Sequence, residues 1–98
     1  MVKLVDVHCH LTFDRFKEDL DSVIKRAKDS GVKFIVSSGV NPKTNREVLE
    51  LSKKYKGIVS CSFGIYPVDA VAKLIKNPTD DVSRDMEIFD VDTELKWI

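Results

Sequence analysis

Phe34-Ile35-Val36-Ser37-Ser38-Gly39 is the stretch on which the fold turns. Three large apolar residues, two of them β-branched, run into small polar residues and a glycine. That pattern reads as a strand buried on both faces, followed by its exit turn. On either side the apolar period becomes helical. Upstream, Phe16, Leu20, Val23, Ile24 and Ala27 share one face of a helix near 16–30, which Gly31 stops. Asp21 and Lys25 there have the spacing of an i,i+4 ion pair. Downstream, Asn41-Pro42 reads as a turn or helix start, with Asn41 a cap rather than a ligand. Thr44 and Glu47 match a capping box, and Val48, Leu51 and Tyr55 form the stripe of a helix near 43–56 that Gly57 ends.

Two further strands complete the pattern. Leu4 to Val7 marks a buried strand near 3–8, and Ile58 to Phe63 one near 58–64, closed by the Gly64-Ile65-Tyr66-Pro67 turn. Strand, helix, strand, helix, strand makes two βαβ units. The expected fold is therefore α/β, with a parallel sheet covered by helices. Beyond Pro67 the pattern loosens. A short helix over 69–76 and a turn over 77–81 containing Pro78 precede a last helix from about residue 92. That helix has Asp90 or Asp92 as its N-cap, and Val91, Leu95 and Ile98 as its apolar face. It has a start signal but no stop signal. Three parallel strands also leave two open sheet edges. The expectation is one segment over 1–98 that is incomplete, either a cut chain or part of an assembly.

Composition narrows the function. The chain has 98 residues with 16 basic and 16 acidic side chains, and its formal net charge is zero. No field exists to hold nucleic acid by charge alone, which argues against a pure DNA-binding module. Residues 1–70 carry 12 basic and 9 acidic groups and residues 71–98 carry 4 and 7, a modest asymmetry. Two cysteines make no disulfide framework. No secretory h-region and no membrane span is legible, so a cytoplasmic setting without membrane contact is expected.

Chemistry concentrates in Asp6-Val7-His8-Cys9-His10-Leu11, where the first strand ends. Residues i and i+2 of an extended chain point the same way, so His8 and His10 project together. Sites gather at the carboxyl ends of parallel strands, and paired neutral imidazoles suit a divalent metal. Asp6 shares their parity and would orient a ligand imidazole from the second shell of the site. Cys9 faces away, as a buried thiol. The alternative is that the two imidazoles are merely polar tips at a sheet end. Two ligands do not complete a catalytic metal site, and the sequence holds no third histidine. Asp69, Asp90 and Asp92 read as solvated or capping groups. Ser38 and Tyr66 lie at strand exits, where each either lines a substrate pocket or simply forms the turn and rim.

The residues resemble the TatD family of metal-dependent hydrolases. Val5-Asp6-Val7-His8-Cys9-His10-Leu11 with Phe13 is similar to that family's opening. The similarity continues through Ala27-Lys28-Asp29-Ser30-Gly31-Val32, Leu51-Ser52-Lys53-Lys54-Tyr55 and Phe63-Gly64-Ile65-Tyr66-Pro67, and looks nearest to an archaeal-type member. The resemblance implies the first three βα units of a TIM-type (β/α)8 barrel. It implies a deoxyribonuclease-like hydrolase of phosphodiester bonds, with DNA or another phosphodiester as partner. The cofactor implied is a divalent ion, Mg2+ first, then Mn2+ or Zn2+. His8 and His10 would be the first two metal ligands. The remaining ligands, including the acidic residues, would lie beyond residue 98. Tyr66 stands where the family often has histidine, which puts a substrate contact from that turn in question.

Two other readings stand beside it. One is another His-x-His metallohydrolase of the amidohydrolase or histidinol-phosphatase type. The other is a non-catalytic short α/β protein that self-associates through its exposed sheet edges.

Overall fold

The computed structural model describes residues 2–71 and 88–98. Three strands, β1 (Leu4–Cys9), β2 (Val32–Ser38) and β3 (Val59–Ser62), form one parallel sheet in the order β1-β2-β3. A 3₁₀ turn (Asp14–Phe16) and α1 (Leu20–Asp29) follow β1, and α2 (Pro42–Lys54) follows β2. Among the described residues, two short helices, α3 (Pro67–Ala70) and α4 (Val91–Trp97), come after β3. The fold is α/β, with strands and helices alternating as in the opening three units of a (β/α)8 barrel. Most of the expected helix over 69–76, and the turn over 77–81, lie outside the described residues.

β2 carries the sheet. It pairs in register with β3, from Ile35 opposite Val59 to Ser38 opposite Ser62. It pairs with β1 on the other side, where an irregularity falls between Asp6 and Cys9. The core gathers on the helix-covered face: Leu11, Ile24, Ile35, Ile58 and Val59, with Leu20, Ala27 and Leu51 packed against them. Val48 of α2 is fully buried.

Several expectations are corrected. β1 is not a buried strand: Leu4, Val5 and Val7 are 47%, 58% and 71% exposed. It is an edge strand among the described residues, and its flanking faces are largely uncovered. α1 starts at Leu20 and not near 16, because Asp14–Phe16 closes into a 3₁₀ turn first. Lys25 pairs with Asp29 at 2.8 Å, not with Asp21, whose carboxylate accepts the Tyr55 hydroxyl and faces Lys54. The α2 capping box uses Asn41 and Thr44: Asn41 Oδ1 accepts the Thr44 N–H at 2.9 Å, and Thr44 Oγ1 accepts the Asn41 N–H at 3.1 Å. Pro42 occupies the first turn, so the helix begins before the Thr44–Glu47 pair.

The last helix departs most. Asp90 caps it as expected, accepting the Thr93 N–H at 2.9 Å. Its docked side is polar, however. Glu94 is buried, while Leu95 and Ile98 are exposed. Glu94 reaches α2, where its carboxylate accepts from Asn45 Nδ2 at 2.7 Å and from Arg46 Nη1 at 2.5 Å. Arg46 in turn lies 3.9 Å over the Trp97 ring, and Trp97 meets Phe63 edge-on at 5.0 Å. A charge-assisted network outweighs an apolar stripe here because it satisfies two otherwise buried polar side chains at once.

Candidate metal centre

β1 ends at Cys9, and the chain then turns through His10, Leu11 and Thr12. The Phe13 N–H donates to the His10 carbonyl at 3.2 Å to close that turn. Leu11 is buried in the core, and its N–H donates to Ser37 Oγ at 3.1 Å. This anchor fixes the backbone directly after His10. The His8 and His10 rings lie 5.0 Å apart, edge to face at 89°. His8 is exposed and His10 half-buried.

His10 is held from two directions. Its ring stacks on Phe13 at 4.9 Å and 7°. Its Nδ1 lies 3.0 Å from the Ser38 carbonyl oxygen at the end of β2. A carbonyl only accepts, so the neutral ring must carry its proton on Nδ1. That leaves the Nε2 lone pair free, the form in which imidazole ligates a metal. The donor set thus fits a divalent cation: two adjacent imidazoles, one with its tautomer fixed by a backbone carbonyl.

Asp6 does something different from orienting a ring. Its Oδ1 accepts the His8 backbone N–H at 3.0 Å, stiffening the strand just before the histidines. The ring-orienting bond comes instead from Ser38. Ser38 itself is buried, and its hydroxyl accepts from Ser62 Oγ at 3.0 Å. Tyr66 is 43% exposed on the turn after β3, and its N–H donates to the Val40 carbonyl at 2.8 Å. The Cys9 Sγ–H donates to the Val36 carbonyl, and burial, with the Asp6 charge adding to it, pushes this thiol up to about 11. Among the described residues, no group of three or more His, Cys, Asp or Glu side chains converges to hold a metal.

Sequence reasoning missed Asn45. It is fully buried, and both ends of its amide engage Gly64: Oδ1 accepts the Gly64 N–H at 3.1 Å and Nδ2 donates to the Gly64 carbonyl at 3.0 Å. The signal was present, because Asn41, Asn45 and Val48 fall at i, i+4 and i+7 on the inward face of α2. A groove of about 470 Å3 between the 11–20 segment and α2, lined by Leu11, Phe13, Phe16, Leu20 and Leu51, includes neither histidine. The case for chemistry therefore rests on the donors and not on that concavity.

Parallel strands alternating with helices, with two histidines at the carboxyl end of the first strand, match the opening of a (β/α) barrel. Residues 5–96 match the TatD related DNase family, and the chain belongs to it. It is 33% identical to the deoxyribonuclease TATDN3 of Homo sapiens over 97 residues, covering 99% of this chain and 33% of that protein. An uncharacterized metal-dependent hydrolase of Methanocaldococcus jannaschii is 38% identical over 85 residues, covering 78% of this chain and 33% of that protein. The 3'-5' ssDNA/RNA exonuclease TatD of Pectobacterium carotovorum is 30% identical over 67 residues, covering 68% and 26%. The chain thus spans about a third or less of these relatives. No helix among the described residues is long and apolar enough to cross a membrane.

Proposed function

We propose that this chain supplies His8 and His10 as metal ligands to a hydrolase of phosphodiester bonds in DNA, with Mg2+ as the working ion. The observation that carries this reading is the pair of imidazoles 5.0 Å apart at the end of β1, one held by the Ser38 carbonyl. Relatives named as a deoxyribonuclease and as a metal-dependent hydrolase support the choice of reaction and of a metal cofactor. A divalent cation held there would polarise a phosphate oxygen and acidify a water.

The chain's own residues prepare the site. The Ser38 carbonyl keeps the His10 proton on Nδ1. Phe13 covers one face of that ring and excludes water from it. Asp6 fixes the backbone under His8. Tyr66, exposed at the neighbouring strand exit, is the candidate substrate contact. The rest of the ligand set is not among the residues described.

The test is DNA hydrolysis by the protein at its natural length, with and without Mg2+, against single-stranded and duplex oligonucleotides and a panel of amides. Metal-dependent cleavage of DNA, lost in His8→Ala and His10→Ala, is the expected result. Amide cleavage in place of phosphodiester cleavage would assign it to the amidohydrolase type. A second reading, self-association, is favoured by the exposure of Val5 and Val7 on an edge strand. Sedimentation over a hundredfold range of concentration tests it, and a monomer throughout would dismiss it.

A further inference from the structure

The geometry points to Asn45 as a positioning residue for His10, a role that rests on the metal-ligand reading of that histidine. The hydrogen bonds of the Asn45 amide go to Gly64 and Glu94 and not to either histidine. It acts on the backbone that holds one of them. Its amide is paired to both the N–H and the carbonyl of Gly64, as a strand partner would be. It thereby fixes the exit of β3. The same side chain lies against Gly39 at the exit of β2. A Cβ on Gly39 would stand 2.1 Å from Asn45 Oδ1 and 2.8 Å from Asn45 Cα, so only glycine lets α2 come this close. Gly39 directly follows Ser38, whose carbonyl accepts the His10 Nδ1 proton. The two exits are also joined directly, through the Gly39 N–H to the Ser62 carbonyl at 2.9 Å.

Asn45 is itself anchored from behind, since Nδ2 also donates to the buried Glu94 carboxylate at 2.7 Å. Every hydrogen-bonding atom of the amide is therefore engaged, and the side chain has one orientation. The amide is needed chemically. Aspartate has the same shape but cannot donate to the Gly64 carbonyl, and it would set a second carboxylate against Glu94. Without the clamp, the β2 exit shifts, the Ser38 carbonyl leaves its place, and His10 loses the bond that selects its tautomer. Loss of the group that hydrogen-bonds a ligating imidazole, here the Ser38 carbonyl, typically changes metal affinity by about 10–100-fold.

The experiment reads the tautomer directly. Long-range 1H–15N spectra of the His10 ring in the metal-free chain, at about pH 9 where free imidazole is neutral, distinguish Nδ1–H from Nε2–H. The wild type should show the Nδ1–H form. Asn45→Ala and Asn45→Asp should show a mixture, and the Kd for Zn2+ alone should rise about tenfold or more. Gly39→Ala, which displaces Asn45 from the other side, should give the same mixture. It keeps the test decisive if the Asn45 variants fail to fold. Val48→Ala, one turn along the same helix, loosens the core and should leave the tautomer unchanged. An unchanged His10 tautomer in the folded Asn45 and Gly39 variants, or an equal change in Val48→Ala, overturns the positioning role. Zn2+ binding that ignores His8→Ala and His10→Ala would instead overturn the metal reading, which separates the two failures.

Discussion

Glu94→Ala should release α4 from the rest of the chain. In the structure this carboxylate is 2% exposed and accepts from Asn45 and Arg46. Breaking a buried ion pair by removing one partner costs about 3–5 kcal/mol when the orphaned charge stays buried. Here the Arg46 side chain is 43% exposed, so its charge rehydrates. Asn45 also keeps its bonds to Gly64. The loss should therefore sit lower, at about 2 kcal/mol. For a chain of this size that corresponds to a fall in Tm of about 8–16 °C. Trp97 is the only tryptophan, lies under the Arg46 guanidinium and meets Phe63 edge-on, so its fluorescence reports the docking locally. Its emission should move to that of a solvated indole in Glu94→Ala. The pH dependence gives an independent check. Burial pushes the Glu94 carboxyl up, but the bonds from Arg46 and Asn45 and the Arg46 charge outweigh it, leaving it below its ordinary 4.5. A lowered carboxylate stabilises fully above 4.5 and loses that stabilisation as pH falls through the lowered value. Wild-type Trp97 should therefore undock only below pH 4.5, and Glu94→Gln should show no such step. A Tm within about 1 °C of wild type in Glu94→Ala, well inside the shift that about 2 kcal/mol implies, together with unchanged Trp97 emission, would show that Glu94 does not hold α4 in place.

Other outcomes follow from the same contacts. Ile24→Ala empties a core position that is 2% exposed, and should cost about 2–5 kcal/mol by denaturant unfolding. Cys9, raised to about 11, should alkylate with iodoacetamide at pH 8 roughly two orders of magnitude more slowly than a free cysteine, read by peptide mass spectrometry. Lys25→Ala breaks an ion pair whose side chains are 76% and 65% exposed, and should leave Tm unchanged in a thermal melt.

The sheet and its helices were legible because burial leaves a period in the sequence. Phe34 to Gly39 located β2, and the stripe through Val48, Leu51 and Tyr55 located α2. Burial of β1 was not legible, since a run of β-branched residues looks the same on an edge as in a centre, and coverage depends on what packs beside it. The docking of α4 was misread for a related reason. Val91, Leu95 and Ile98 have helical spacing, but the partner face on α2 offers Asn45 and Arg46, and a buried carboxylate suits those better than leucine does. The His-x-His spacing was readable from the alternation of an extended chain. The Ser38 carbonyl was not, because any residue has a carbonyl and only strand register brings this one to His10.

The proposed function requires that His8 and His10 together hold a divalent cation. A Mn2+ titration of the 15N-labelled chain, followed by paramagnetic broadening, decides the point. The His8 and His10 ring signals should broaden first, with Phe13 and Ser38 next, and His8→Ala or His10→Ala should abolish the effect. Broadening that begins at the exposed carboxylates of α1, or that survives loss of either histidine, would contradict it.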